Sequence, residues 1–333
     1  ALSLLSTEDS DEETPTSIAS SLLLALPGMT EEVADSILDW LDEDDEPRAY
    51  GAESEYYSSL PTPYEAKNGP IDSVEELLLV SGMTPTLLFG ADANRNGMLD
   101  PDEQQRFNVT VDTPGALGLA PFFTIRGVEA NKQRDGSFRV NINADDLETL
   151  YEDVSAVLED ETFASFVCAY RMAGASASSG ITATNQEEQA TVGGIWTSDL
   201  IGNFDLSAGG QITFNQVLDL VDATVTVPVN GESVICQSPF SSLTGAAYFP
   251  LIMDRLVTSD TPTMPGRINL NECPAELLYG IPMLTEEQVE LIIEARASAT
   301  DDENRLFETW LMVEGIVTLD EMRNLVPLLT GGG

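Results

Sequence analysis

The chain has 333 residues, of which 57 are acidic and 14 are basic, giving a formal net charge of −43 at pH 7. A field of this sign opposes binding to nucleic acid and anionic membrane surfaces and attracts divalent cations. The chain contains no histidine and only three cysteines, which excludes Ser-His-Asp, Cys-His and histidine-ligated zinc chemistry.

The first predicted element is a pair of helical hairpins. The stretch "LPGMTEEVADSIL" from Leu26 predicts a helix with Thr30 as N-cap and an apolar face behind it. A partner hairpin, "SVEELLLVSGMTPTLL" from Ser73, is expected to start with a capping box formed by Ser73 and Glu76 and to turn at a glycine.

A calcium loop is predicted next, in "DANRNGMLDPDE". Calcium requires six to eight oxygen ligands and a sharp turn at the loop centre, and here Gly97 allows that turn. Leu99 is expected to face the core. The candidate ligands are the side chains of Asp92, Asn94, Asn96, Asp100 and Glu103 and the backbone carbonyl of Met98.

A second acidic cluster, "DEDDEPRAYGAESEYY", lies before this loop. Asp42, Asp44, Asp45 and Glu53 would converge on a second ion if the segment from Pro47 to Gly51 folds back. A solvated charge run is the alternative reading.

The middle of the chain predicts a mixed part. Alternating residues around "RDGS" indicate a strand hairpin, and "VNINADDLETLY" from Val140 leads into a helix that ends at Arg171. Residues 173–192 are typical of a linker, and residues 193–266 are expected to hold short strands and a helix around "FNQVLDLV".

The last part repeats the first. "IPMLTEEQVELII" from Ile281 aligns without gaps to the stretch from Leu26, with Thr285 and Gln288 as a capping box, and "INLNECPAELLY" from Ile268 echoes the stretch from Val140. We therefore expect a predominantly helical α+β fold with paired helix-hairpin-helix-like modules around a mixed centre. The expected segments are 1–110, 111–192, 193–266 and 267–333.

Two other classes of function have little support. Helix-hairpin-helix modules that bind DNA are surrounded by lysine and arginine, whereas these turns are flanked by glutamates. The sequence has no phosphate loop and no nucleophile elbow, and although its carboxylates leave a carboxylate-only glycosidase formally open, no pair stands out. The sequence therefore predicts a protein that is not an enzyme and does not bind nucleic acid.

The chain resembles a known family in two blocks. Ile37 to Gly90 looks like the helical domain of type II secretion minor pseudopilin K, in an elongated planctomycete-like variant, and Ile268 to Arg296 is similar to that family's second recurrent block. The resemblance implies a non-enzymatic subunit at the tip of the periplasmic pseudopilus, which primes its assembly. It also implies structural Ca²⁺ at the two acidic stretches and a location on the periplasmic side of the inner membrane.

The resemblance further implies the partners. These are the other minor pseudopilins of the tip complex and the secretion apparatus, with exported proteins as further candidates. A membrane contact is expected only through a pilin-type N-terminal helix, which, like the C-terminal strands of the pilin sheet, we expect to be missing here. The competing hypothesis is a free calcium-binding adhesion or matrix module built on the same hairpins.

Overall fold

The computed structural model of the protein describes residues 17–113, 115–175, 191–298 and 302–332. About 43% of the structure is helical and 11% is strand. The predicted α+β class is therefore confirmed. Among the described residues, no helix combines the length and the apolar content needed to cross a bilayer.

The α-helices are short and are numbered in chain order. They are α1 (Ile18–Leu24), α2 (Glu31–Leu41), α3 (Ser54–Ser58), α4 (Pro85–Phe89), α5 (Pro101–Phe107), α6 (Leu147–Leu158), α7 (Glu161–Ala173), α8 (Phe249–Arg255), α9 (Ala275–Tyr279), α10 (Glu286–Ala297), α11 (Trp310–Val313) and α12 (Leu319–Leu325). Further turns of 3₁₀-helix cover Val74–Leu79, Ala120–Phe122, Ser198–Asn203, Leu206–Ala208, Val217–Leu220, Ser242–Ala247 and Glu303–Leu306.

The strands form small sheets. They are β1 (Val128–Ala130), β2 (Val140–Asn141), β3 (Thr191–Ile195), β4 (Thr224–Val229), β5 (Glu232–Gln237), β6 (Leu256–Val257), β7 (Thr263–Pro265), β8 (Ile268–Asn269) and β9 (Leu329–Thr330). One sheet has the order β3-β5-β4, and the other strands pair as β1 with β7, β2 with β6 and β8 with β9.

The chain divides into two compact units, each built from separate stretches. Unit 1 takes the described residues up to Val128 together with Pro265–Arg267 and Glu272–Ala297, and unit 2 takes Glu129–Met264, Ile268–Asn271 and the described residues from Ser298. The segment predicted as 267–333 therefore contributes to both units. The other predicted boundaries, after residues 110 and 192, stay predictions about the sequence.

Unit 1 is organised around α1 and α2. Thr30 caps α2 as predicted, with its hydroxyl accepting a hydrogen bond from the amide of Val33 at 3.3 Å. The apolar face of α2 enters a core that also holds an aromatic group, in which the Tyr57 ring lies 5.2 Å from both Trp40 and Tyr64. Buried aliphatic residues of this core include Leu23, Ile37, Leu38, Leu77 and Leu88.

The predicted capping box of Ser73 and Glu76 is wrong. Within the described chain, Ser73 makes no side-chain cap hydrogen bond, and the segment after it is 3₁₀-helix. The Glu76 carboxylate instead accepts from the Trp40 indole at 3.1 Å, from Lys67 Nζ at 2.9 Å and from the Asp72 amide at 2.9 Å. Glu76 therefore binds Lys67, Asp72 and the distant Trp40 with the carboxylate that a capping box would use.

The second copy of the hairpin sequence also supplies a capped helix to unit 1. The amide of Gln288 donates to Thr285 Oγ1 at 3.2 Å, and the amide of Thr285 donates to Gln288 Oε1 at 2.9 Å. The predicted capping box at the start of α10 is confirmed.

Unit 2 combines the β3-β5-β4 sheet with α6, α7 and the last helices. β4 and β5 are antiparallel across a turn at Asn230 and Gly231, and β3 is parallel to β5. The predicted "RDGS" hairpin closes with an antiparallel bridge between Lys132 and Phe138. The helix predicted in "FNQVLDLV" is a 3₁₀ turn over Val217–Leu220. Most of the predicted linker, residues 176–190, lies outside the described residues.

The echo between the stretches from Val140 and Ile268 is visible in the backbone. β2 and β8 start these stretches and pair in parallel with β6 and β9. The second asparagine of each stretch donates its side-chain amide to two backbone carbonyls. Asn143 donates to Phe214 and Thr258, and Asn271 donates to Arg305 and Gly331.

Candidate metal centre

Three carboxylates of unit 1 meet where α2 ends and α3 begins. Asp39 lies on the buried side of α2, Asp42 is the C-cap of α2 and Glu53 is the N-cap of α3. One carboxylate oxygen from each lies within 4.8 Å of the others. The exposed fraction is 0% for Asp39 and 3% for Glu53, and the Asp42 side chain is 11% exposed.

The segment from Pro47 to Gly51 folds back between the two helices, which was the condition for a second ion site, and it encloses Asp39. The backbone amide of Arg48 donates to both Asp39 oxygens at 3.3 Å. Gly51 passes so close that a Cβ there would lie 1.8 Å from Asp39 Oδ2. Only glycine allows this approach, so the sequence "PRAYGAE" is shaped to enclose the carboxylate.

Arg48 also neutralises part of the cluster. Its Nη1 lies 2.8 Å from Asp39 Oδ1 and 2.5 Å from Asp42 Oδ2. Burial raises the pKa of both aspartates even though their hydrogen bonds to Arg48 lower it. Burial, together with repulsion from neighbouring carboxylates, therefore outweighs the compensation that the single guanidinium supplies.

Glu53 has no such compensation. Both of its carboxylate oxygens, and Oδ1 of Asp42, are buried without a hydrogen-bond partner among the described residues. Burial first, and then the negative charges of Asp39, Asp42, Asp45 and Asp44, raise the pKa of Glu53 to about 7. A buried charge of this kind is costly unless it is paired or coordinates a metal ion.

The donor set fits a hard divalent cation. All available atoms are carboxylate oxygens, which are the ligands that calcium takes at 2.3–2.6 Å. Of the predicted residues, Asp42 and Glu53 are in the group. Asp44 and Asp45 lie outside it, and their carboxylates accept hydrogen bonds from the Glu46 amide and from Asn68 Nδ2.

Asp39 was missed in the sequence. It follows Ile37 and Leu38 in an apolar helical pattern, so it reads as a solvent-facing position. One signal was available: Asp39 and Asp42, three residues apart, share the C-terminal end of α2, whose last turn has no basic residue. The helix dipole disfavours carboxylates there, so a compensating cation is indicated.

In the predicted loop from Asp92 to Glu103, the first and last carboxylates accept hydrogen bonds from backbone amides of the same loop. Asp92 accepts from the amides of Asn96 at 3.1 Å and Gly97 at 2.8 Å. Glu103 Oε1 accepts from the amides of Ala93 and Asn94, at 2.8 and 3.0 Å. Gly97 has a φ of 80° and open space around its Cα, and the loop turns there as predicted.

The side chains of the other predicted ligands contact one another, and their role in binding calcium stays a prediction. Asp100 Oδ2 accepts from the side-chain amides of Asn94 at 2.7 Å and Asn96 at 3.1 Å. Met98 is exposed, and Leu99 is buried as expected. Unlike Glu53, the oxygens of this loop have hydrogen-bond donors, so the geometry alone does not require an ion here.

The protein is an α+β chain whose unit 1 encloses an acidic cluster, and its sequence is similar to that of known proteins. Residues 2–89 match the family model described as "Type II secretion system (T2SS), protein K". The type II secretion system protein K of Pectobacterium carotovorum subsp. carotovorum is 37% identical over 57 residues. Those residues are 17% of this chain and 17% of that protein. The resemblance of the N-terminal block to type II secretion protein K is therefore confirmed, and that of the block from Ile268 to Arg296 stays a prediction.

A solved structure is also similar in part. It is titled the crystal structure of the GspK-GspI-GspJ complex from the enterotoxigenic Escherichia coli type 2 secretion system. The match has 19% identity and a TM-score of 0.21, and it covers 49% of this chain and 47% of that one. The chain thus matches less than half the length of either relative.

Proposed function

We propose that the protein is a non-enzymatic minor pseudopilin of a type II secretion system. The proposal is supported by the protein K family model over residues 2–89 and by the curated relative. In this role it is a tip subunit of the periplasmic pseudopilus, on the outer side of the inner membrane. It primes assembly of the pseudopilus together with the other minor pseudopilins, and its paired helix-hairpin-helix modules serve as a packing scaffold.

We further propose that calcium stabilises unit 1 at the cluster of Asp39, Asp42 and Glu53. The observation that carries this proposal is Glu53, which is buried with both carboxylate oxygens unpartnered among the described residues. A bound divalent cation supplies the positive charge that this site lacks, and it would join the end of α2 to the start of α3. Magnesium fits less well, because it requires a near-ideal octahedron and gives up its water reluctantly.

The loop from Asp92 to Glu103 is proposed as a second, weaker calcium site. Its ligands would be the side chains of Asp92, Asn94, Asn96, Asp100 and Glu103 and the carbonyl of Met98. Asp92 and Glu103 already accept hydrogen bonds from backbone amides, but a carboxylate oxygen keeps a second lone pair for an ion. Because these amides already compensate part of the negative charge, we expect a lower affinity than at the buried cluster.

Affinity purification of the full-length protein from its native host tests the assembly role. We expect the other minor pseudopilins of the same secretion system to be recovered with it, in calcium-containing buffer, at comparable molar amounts. A matched purification of an unrelated periplasmic protein is the control. Recovery of the protein without any pseudopilin would contradict the proposal and would favour a free calcium-binding adhesion or matrix module.

A further inference from the structure

The Arg48 guanidinium is part of the acidic cluster that would bind a metal ion. Its Nη1 contacts one oxygen of Asp39 and one oxygen of Asp42, at 2.8 and 2.5 Å. The Arg48 side chain is 22% exposed, whereas the Asp39 side chain that it contacts is fully buried. A cation carried by the chain itself is therefore bound to two of the three carboxylates proposed to hold calcium.

The guanidinium does not satisfy the whole cluster. Within the described residues, Asp42 Oδ1 and both oxygens of Glu53 are left without a hydrogen-bond donor. If all three carboxylates are ionised, one guanidinium leaves an excess of two negative charges, which one divalent cation would balance. The cluster thus keeps an attraction for an ion while Arg48 is in place.

We propose that Arg48 is a tethered counter-cation that competes with the divalent ion for Asp39 and Asp42, and that it sets the ion affinity below the value the three carboxylates alone would give. This inference rests on the proposed calcium site. Arg48 would hold the two aspartates together when the ion is absent and would give up part of its contact when the ion binds. It is a positioning residue and not a ligand.

A thermodynamic cycle fixes the direction of the effect. Without an ion, removing Arg48 leaves three mutually repelling carboxylates, two of which have lost their counter-charge. With the ion bound, the same oxygens are neutralised by the metal, so the loss of Arg48 costs less. Because the substitution destabilises the ion-free form more than the ion-bound form, it must tighten ion binding by the same difference.

The test is calcium titration by calorimetry in a Glu103→Gln background, which removes the closing carboxylate of the Asp92 loop so that the heat reports the cluster. In that background we compare the parent, Arg48→Gln, Arg48→Lys and the control Arg134→Gln. Arg134 is an exposed residue of unit 2, and its substitution gives the same change in net charge. Melting curves in chelator accompany each titration.

We expect Arg48→Gln to lower the melting temperature in chelator and to tighten calcium binding at least tenfold. Arg48→Lys should lie between it and the parent, because an ammonium cannot reproduce the planar fork of a guanidinium. Arg134→Gln should change the dissociation constant less than twofold. If Arg48→Gln does not fold without calcium, a tighter dissociation constant for Arg48→Lys still supports the proposal.

An unchanged or weaker dissociation constant in both Arg48 variants would overturn the competition while leaving calcium at the cluster intact. Absence of binding in the parent and in both variants would overturn the calcium site and this inference together. The two failures are therefore distinguishable in one set of titrations.

Discussion

A carboxylate oxygen of Glu53 lies within 4.8 Å of a carboxylate oxygen of Asp39, although both side chains are buried. Asp39 is paired with Arg48, whereas the Glu53 carboxylate has no hydrogen-bond partner in the described structure. Two buried carboxylates at this separation repel each other strongly because little water screens them. Unit 1 is thus stabilised by whatever supplies positive charge to this cluster.

The first prediction concerns pH in the presence of chelator. The pKa of Glu53 is raised from 4.5 to about 7, so the folded protein binds this proton more tightly than the unfolded chain does. The contribution of this proton to the free energy of unfolding is fully present below pH ~4.5 and is lost as the pH rises through ~7. The melting temperature in chelator should therefore rise by several degrees as the pH falls from 8 to 5.5.

Two comparisons check the origin of this pH effect. In 1 mM calcium the slope should reverse, because protonation of Glu53 removes a metal ligand. Glu53→Gln should give a higher melting temperature than the parent in chelator at pH 8 and a flatter pH profile. A parent whose melting temperature falls on acidification in chelator would show that Glu53 is not buried as a costly charge.

The second prediction concerns Gly51. Its replacement by alanine would place a Cβ 1.8 Å from Asp39 Oδ2, so the loop or α2 must shift. Overpacking of this kind costs about 1–3 kcal/mol, and the shift should also weaken calcium binding. Gly202→Ala is the control, because a Cβ at Gly202 meets nothing within 4 Å. Equal melting temperatures and equal calcium responses in the two variants would contradict the enclosed geometry.

The third prediction concerns the loop from Asp92. If its dissociation constant is about 10⁻⁵ M, calcium at about 10⁻³ M adds roughly 2.7 kcal/mol to the free energy of unfolding. Glu103→Gln removes one charge and one of the two oxygens that close the loop, so the calcium-induced rise in melting temperature should shrink. Asp102→Asn, an exposed neighbour, is the matched control. A calcium response that is the same in both variants would leave the loop as an acidic turn only.

The fourth prediction tests the repeated asparagine in unit 2. The Asn143 amide group donates to two carbonyls and accepts from the Phe214 amide at 2.8 Å and from the buried Arg171 at 3.2 Å. Asn143→Ala leaves these groups unsatisfied and should cost about 2–4 kcal/mol. Asn203→Ala, which loses one exposed hydrogen bond to Leu200, should cost under about 1 kcal/mol. Denaturant unfolding of both variants gives the comparison.

Local signals in the sequence predicted part of this structure well. Thr30 and the box of Thr285 and Gln288 are confirmed because their partners lie within three residues. Gly97 turns the Asp92 loop for the same local reason. The prediction of a capping box at Ser73 and Glu76 failed because the Glu76 carboxylate accepts hydrogen bonds from Trp40 and Lys67. These residues lie 36 and 9 positions away in the sequence, outside the local pattern.

The acidic cluster shows where pattern reasoning ends. Asp42 and Glu53 could be named because they lie in one acidic run. The spacing of Asp39 and Asp42 at the end of α2 indicates a nearby cation, but only the fold of the loop at Gly51 brings Asp39 to Glu53. Asp44 and Asp45 belong to the same run and point to other partners, Glu46 and Asn68. Which carboxylates converge depends on the path of the backbone between α2 and α3, and the spacing of residues in the sequence does not determine that path.

The most direct test of the account is a crystal structure grown in millimolar calcium, with diffraction data collected at long wavelength so that calcium gives an anomalous signal. The account predicts an anomalous peak among Asp39, Asp42 and Glu53, with carboxylate oxygens at about 2.3–2.6 Å from the ion. Absence of a peak there, with the Glu53 carboxyl group hydrogen-bonded to water or to neighbouring residues, would contradict the claim that a divalent cation stabilises unit 1.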